Sequence, residues 1–148
     1  QIVDAVMQVS TEPVIIAVAV NKKNLTYEYI AESGYFTLTV LEESTPVEFI
    51  GRFGFRPGRE FDKFDGVGYE VGPGGCPAVT DHALGYIVAE VRDAVDCGSH
   101  TVFFGDVISS KTFKSGRPLT YNYYRAVLKG KVHKHAPTAH EDGKEGED

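Results

Sequence analysis

Two hydrophobic patterns alternate along the chain. PVIIAVAV (residues 13–20) is a continuous apolar, β-branched run, the pattern of a buried strand. YFTLTVL (35–41) alternates apolar and polar positions and predicts a second strand. LGYIVAEVRDAV (84–95) and HTVFFGDVISS (100–110) predict two long strands, joined as a hairpin across DCGS. Between these runs lie two short helical patterns. TYEYIAESG (26–34) has Thr26 placed to cap it, Glu28 in the first turn and Gly34 at the position after its end. STPVEFIGRFG (44–54) has Thr45 and Glu48 at capping-box spacing, Pro46 at the first helical position and Gly54 at its close. GPGGCP (72–77) predicts a tight turn, and PLTYNYYRAVL (118–128) fits either a strand or an irregular docking segment. After Gly130 the apolar residues give way to Lys, His, Glu, Asp and Gly, so residues 132–148 read as a flexible polar tail without a core. The sum is a mainly β domain over residues 1–131, and a closed or nearly closed antiparallel barrel would remove the exposed strand edges.

Composition narrows the picture. At 148 residues with 42% hydrophobic content, 9 Phe and 8 Tyr, the chain supports one domain with a substantial core. No apolar run approaches the ~18 residues of a membrane span, no signal-peptide pattern is visible, and no solenoid-length repeat occurs. The net charge of −6 is concentrated in His140–Asp148, which holds five acids and one lysine, so the rest of the chain is near neutral. That balance argues against a duplex nucleic acid partner and leaves room for local basic sites. Two cysteines, Cys76 and Cys97, are too few for a disulfide framework and fit the reduced thiols of a cytoplasmic protein.

Candidate chemistry lies at three places. The turn NKKN (21–24) joins a strand to a helix start, where unpaired amides and the helix dipole favour an anion, with Lys22 and Thr26 at hand. The same residues also suit an ordinary solvated cap. FGFRPGREFDKF (53–64) carries Arg56, Arg59 and Lys63, with Gly54 and Gly58 to let backbone approach a ligand. It lacks the closing Gly-Lys-Ser/Thr of a Walker loop, and its cations have Glu60, Asp62 and Asp65 as nearby partners. Gln8, Ser10 and Thr11 in MQVSTEP offer hydrogen bonds to a flat polar ring, or else form a turn into Pro13. His100 opens a strand just after a turn, where it could face a pocket as an acid or donor. His133, His135 and His140 fall in the tail; no second ligand cluster supports the His-x-His pair, so no metal site is expected. Neither cysteine has a CxxC partner or a neighbouring His, which argues against a thiol nucleophile.

In combination and in order, these pieces resemble the flavin reductase-like family. VSTEPVIIAVAVNKKNLTYEYIAESGYFTLTVL, FGFRPGREFDKF, GSHTVFFGDV and PLTYNYYRAVLKGK match that family's successive blocks over nearly all of residues 7 to 131. The resemblance implies a six-stranded antiparallel FMN-binding split barrel with Greek-key character, working as a homodimer with FMN near the interface. It implies that Gln8, Val9, Ser10 and Thr11 line the isoalloxazine edge, and that Asn21, Lys22 and Thr26 hold the ribityl and phosphate. Lys63 would pair with the phosphate, Gly54 would permit close approach, His100 would sit near the ring or an incoming nicotinamide, and Tyr124 would close the pocket.

The implied activity is that of an NAD(P)H-dependent flavin reductase passing electrons through FMN to flavin, ferric iron or another acceptor. A flavoredoxin-type electron carrier with a protein redox partner and no nicotinamide turnover is the alternative. A flavin-free barrel is the third reading. Three departures stand out. The chain starts at Gln1 inside what the resemblance makes an early barrel strand, so a preceding strand is expected to be missing. Pro57 replaces a serine in the basic loop. KGKVHKHAPT looks like the run-in to a rubredoxin domain, yet no CxxC iron ligands follow.

Overall fold

The apolar run at 13–20 becomes a central strand of the fold. The computed structural model describes residues 1–137. These form β1 (Val6–Thr11), β2 (Val14–Asn21), α1 (Leu25–Ser33), β3 (Tyr35–Leu41), α2 (Val47–Gly54), β4 (Tyr69–Val71), β5 (Pro77–Val79), β6 (Ala83–Asp96), β7 (His100–Thr112) and α3 (Tyr121–Ala126). Five strands make one antiparallel sheet in the order β1-β2-β7-β6-β3, and β4 pairs with β5 as a separate ribbon. The long β6–β7 hairpin thus stands between β2 and β3, which are successive strands in the chain. This is the mainly β split-barrel class expected, with five strands in the principal sheet.

Burial explains the order. Val18, Val20, Phe36, Ala89 and Phe103 project from four strands onto one face, and Ile30 of α1 closes over them. Helix α1 ends where Gly34 takes a left-handed φ of 74° and its N–H returns to the Ile30 carbonyl. Gly105 in β7 leaves room for the Phe36 ring: a Cβ there would lie 2.7 Å from Phe36 and 2.8 Å from Ala89. A smaller cluster of Ala78, Tyr86 and Val88 lies under the ribbon. Thr37 Oγ1 donates to the Pro77 carbonyl at 2.7 Å and Thr39 Oγ1 to that of Val79 at 3.2 Å, so the ribbon is fastened along β3.

Several local expectations change. The cap of α1 is Asn24, not Thr26, and its side chain turns away from the helix amides toward Gln1. Thr45 does not cap α2; its hydroxyl donates to the Glu42 carbonyl, and Pro46 holds the cap position instead. Strand β1 escapes the hydrophobic pattern because its residues are mostly exposed and a bulge falls between Gln8 and Ser10. Residues 121–126 form a one-and-a-half-turn helix, capped by Thr120, whose hydroxyl accepts from the Tyr123 amide at 3.1 Å. No residue of that helix is buried, so no helical period marks it. Among the described residues no helix is long and apolar enough to cross a membrane.

Gly105→Ala is expected to destabilise the domain by about 1–3 kcal/mol through overpacking against Phe36 and Ala89. The shift in urea midpoint at unchanged slope measures it.

Candidate functional site

Strand β2 ends at Asn21, and the chain turns into α1 within three residues. The Asn24 amide donates to the Asn21 carbonyl at 3.0 Å, and the Lys22 amide to that of Ser99 at 3.1 Å. Across from this turn lies the basic loop. Arg59 is ion-paired with Glu28 on α1, which ties the loop to the helix. Gly58 sits in the seam: a Cβ there would meet the Leu25 side chain at 3.4 Å and Lys63 Cε at 3.8 Å. Lys63 Cε and the Leu25 side chain therefore both border the space beside Gly58.

The turn, the loop, α3 and residues 131–137 enclose a cleft of about 1010 Å³. Six lysines and arginines line it, against three carboxylates: Asp4, Glu60 and Asp62. Such an excess of cations between apolar walls raises the local positive potential. Lys63 is half-buried, its ammonium donates to the Phe53 carbonyl at 2.9 Å, and burial pushes its pKa down. An ammonium has three N–H donors, so this bond leaves capacity for an anion. Arg56 lies over the Phe61 ring at 4.5 Å, and Arg52 holds the loop by donating to the Asp65 carbonyl at 2.6 Å. The loop's cations are thus placed by α1, an aromatic ring and backbone more than by the acids of the loop itself.

The cleft brings together Asn21, Thr26, Gly54, Lys63, His100 and Tyr124. Gly54 faces the side chain of Ile2. The Tyr124 hydroxyl donates to the Lys131 carbonyl at 3.0 Å, and burial raises its pKa. Lys22 points elsewhere, paired with Asp96 at the hairpin end, while Lys23 lines the cleft. Gln8, Val9, Ser10 and Thr11 stand on β1 and are not among the lining residues of the same chain; the Gln8 amide donates to the Ser10 carbonyl across the bulge.

Residues 132–137 depart from the coreless tail that composition predicts. His135 Nδ1 meets Asn24 Oδ1 at 3.0 Å, and its carbonyl lies 3.1 Å from His100 Nε2. His133 packs against Phe55 with ring centroids 5.7 Å apart and against His135 at 5.1 Å. Polar residues dock here because the cleft offers polar partners, which a hydrophobicity pattern does not register. Residues 138–148, including His140, lie outside the described residues. Among the described residues no group of three His, Cys, Asp or Glu side chains is arranged to hold a metal ion.

Residues 1–129 match the flavin reductase like domain, and the chain belongs to that family. It is 48% identical over 132 residues to a ferric-chelate reductase (NAD(P)H) of Archaeoglobus fulgidus, covering 89% of this chain and 78% of that one. It is 42% identical over 138 residues to a high molecular weight rubredoxin of Moorella thermoacetica, covering 93% of this chain but only 60% of the relative. In structure it resembles flavoredoxin from Methanosarcina acetivorans, with a TM-score of 0.69 at 24% identity over 77% of this chain and 63% of that one. The last likeness speaks to the fold alone.

Docking of residues 132–137 is expected to depend on pH. Burial, then His135, Lys134 and Lys63, push the His133 imidazole below its ordinary value of 6.5. Burial, then Lys134, Lys23 and His100, do the same to His135. Above pH 6.5 docked and free rings are both neutral; below it the free segment takes up protons first, so docking weakens as pH falls. Tryptic cleavage after Lys134 should accelerate between pH 7.5 and pH 5.5 once corrected for the protease's own pH dependence; a flat corrected rate would contradict this.

Proposed function

We propose that this chain is an FMN-binding oxidoreductase that takes hydride from NADH or NADPH and passes electrons to flavin, ferric iron or another acceptor. The observation that carries the reading is the cationic cleft lined by both Lys63 and the start of α1. A phosphate dianion calls for a lysine beside helix N-terminal amides, and helix α1 has no side-chain cap to compete for those amides. Thr26 and Asn21 supply a hydroxyl and an amide along the same wall. Tyr124 and Phe55 add aromatic surface to the lining. The flavin, when bound, supplies the redox chemistry; the chain binds, orients and shields it from water. The relatives named as a ferric-chelate reductase (NAD(P)H) and as a high molecular weight rubredoxin support a nicotinamide donor and a redox-protein partner respectively.

The working unit in this proposal is a homodimer. Strand β1 is an end strand of the sheet and exposes Val6, Met7 and Val9, with Met7 62% accessible. An apolar, half-paired strand invites a partner. Pairing through it would carry Gln8, Val9, Ser10 and Thr11 toward the cleft of the second copy, where they could line the isoalloxazine edge as the resemblance implies. The free thiols Cys76 and Cys97 suit a cytoplasmic setting.

Anaerobic mixing of the FMN-loaded protein with NADH or NADPH should bleach the flavin absorbance in a stopped-flow trace. Retained colour without bleaching by either nucleotide would leave an electron carrier in place of a reductase. Lys63→Ala should weaken FMN binding by about 1.5–3 kcal/mol, read by fluorescence titration. Met7→Asp should shift the sedimentation-equilibrium mass toward a monomer and lower FMN affinity with it; a stable dimer in this variant would place the interface elsewhere.

A further inference from the structure

The chain leaves α3 through a turn that is held from outside the cleft. Lys129 takes a left-handed φ of 55°, and the Gly130 amide donates to the Tyr124 carbonyl at 2.9 Å. Arg125 of α3 donates to the Gly130 carbonyl at 2.6 Å, and the Tyr124 hydroxyl donates to that of Lys131 at 3.0 Å. The backbone of Gly130 packs directly on the Tyr124 ring: a Cβ there would fall 1.9 Å from the nearest ring carbon. No side chain fits at residue 130 while the chain follows this path. Neither Arg125 nor Gly130 lines the cleft, yet together they aim residues 131–137 along its wall. Beyond the turn the segment has little to hold it. None of residues 131–137 is fully buried. The His133 ring meets Phe55, and the other anchors are polar: His135 Nδ1 against Asn24, and the His135 carbonyl against His100 and Asn21. A segment held by a few hydrogen bonds without a buried apolar residue belongs to the least stable part of a fold. It also spends its bonds on the wall that the proposed flavin would use, so segment and ligand compete for the same groups.

We propose that residues 131–137 form an autoinhibitory latch, hinged at Lys129–Gly130 and held from α3, that closes the empty cleft and swings out as the ligand enters. The inference rests on the reductase reading above for its ligand, FMN, and not for its hinge. Only molecules with the latch open accept the ligand, so the apparent dissociation constant is the intrinsic one divided by the open fraction. Loosening the hinge raises that fraction, and FMN then binds faster and more tightly. A lid that retains its ligand behaves in the opposite way: loosening it speeds release and weakens binding.

The test uses the full chain at pH 7.5. Saturating FMN should accelerate tryptic cleavage after Lys134 in the unsubstituted protein, because the bound state exposes the latch; protection by FMN, or an unchanged rate, overturns the proposal. Gly130→Ala and Arg125→Ala should each accelerate the same cleavage without flavin. The first drives a methyl group into the Tyr124 ring, and the second frees the Gly130 carbonyl; Arg125→Ala carries the reading alone should the Gly130 variant not fold. Cleavage unchanged in Arg125→Ala removes the hinge. In stopped-flow fluorescence both variants should raise the FMN association rate by about 3- to 10-fold, as for a latch closed most of the time, with dissociation little changed. Faster dissociation with weaker binding makes the segment a retaining lid and overturns the latch. Accelerated cleavage in the variants of a chain that never binds FMN overturns the reductase reading and the ligand named here, while the hinge stands.

Discussion

The register of β2 against β7 is the constraint on which the rest depends. It sets Val18 opposite Phe103 in the core and Asn21 opposite His100 at the cleft. Because side chains alternate along a strand, a slip of one residue would move the core set to the wrong face and separate the two polar partners. The register is held by burial, since Val18, Val20 and Phe103 are all below 4% exposed. The hydrophobic effect on one stretch of the strand thus fixes the placement of hydrogen-bonding groups at its end. Core and site are two ends of the same ladder.

What could be read from the residues follows from where the information lies. Strands β2, β3, β6 and β7 each bury a run of apolar side chains, and each was visible as a hydrophobic run or alternation. Strand β1 was not, because an exposed edge carries no periodic burial. Helix α3 was not, because it has no buried face. At the site, the resemblance points to Asn21, Thr26, Gly54, Lys63, His100 and Tyr124, and these six share one cleft. Lys23 lines the cleft where the resemblance points to Lys22, since neighbours in a tight turn point different ways and the sequence does not say which way. His133 and His135 read as part of a coreless tail, because docking through carbonyls and imidazoles leaves no hydrophobic trace.

The basic loop at 53–64 illustrates how charge is managed around a cleft. Charged side chains near one another spend most of their effect on local pairing when exposed. Here Arg59 holds the loop to α1, Arg52 of α2 holds the loop's far end by donating to the Lys63 and Asp65 carbonyls, and Arg56 covers Phe61. Lys63 is the cation drawn partly out of water, and its lowered pKa is the mark of that desolvation. A charge in that condition gains more from an incoming anion than a solvated one does, because less hydration has to be given up. Pro57 sits within this arrangement where the family resemblance has a serine. Its carbonyl accepts from the Glu60 and Phe61 amides, so the residue serves the loop's turn through backbone.

The two faces of the main sheet are covered by different elements. Phe36 and Ala89 point into the core with Val18 and Phe103, under Ile30 of α1. Their neighbours Thr37 and Val88 point the other way, because side chains alternate along a strand, and the β4–β5 ribbon lies over that second face. Glu70 of β4 accepts from the Tyr86 hydroxyl and from the Lys111 ammonium, while Thr37 and Thr39 donate to the β5 carbonyls. The ribbon therefore crosses β3, β6 and β7 and acts as a cross-brace: it ties three neighbouring strands together through side chains, independently of the ladder bonds that run between them.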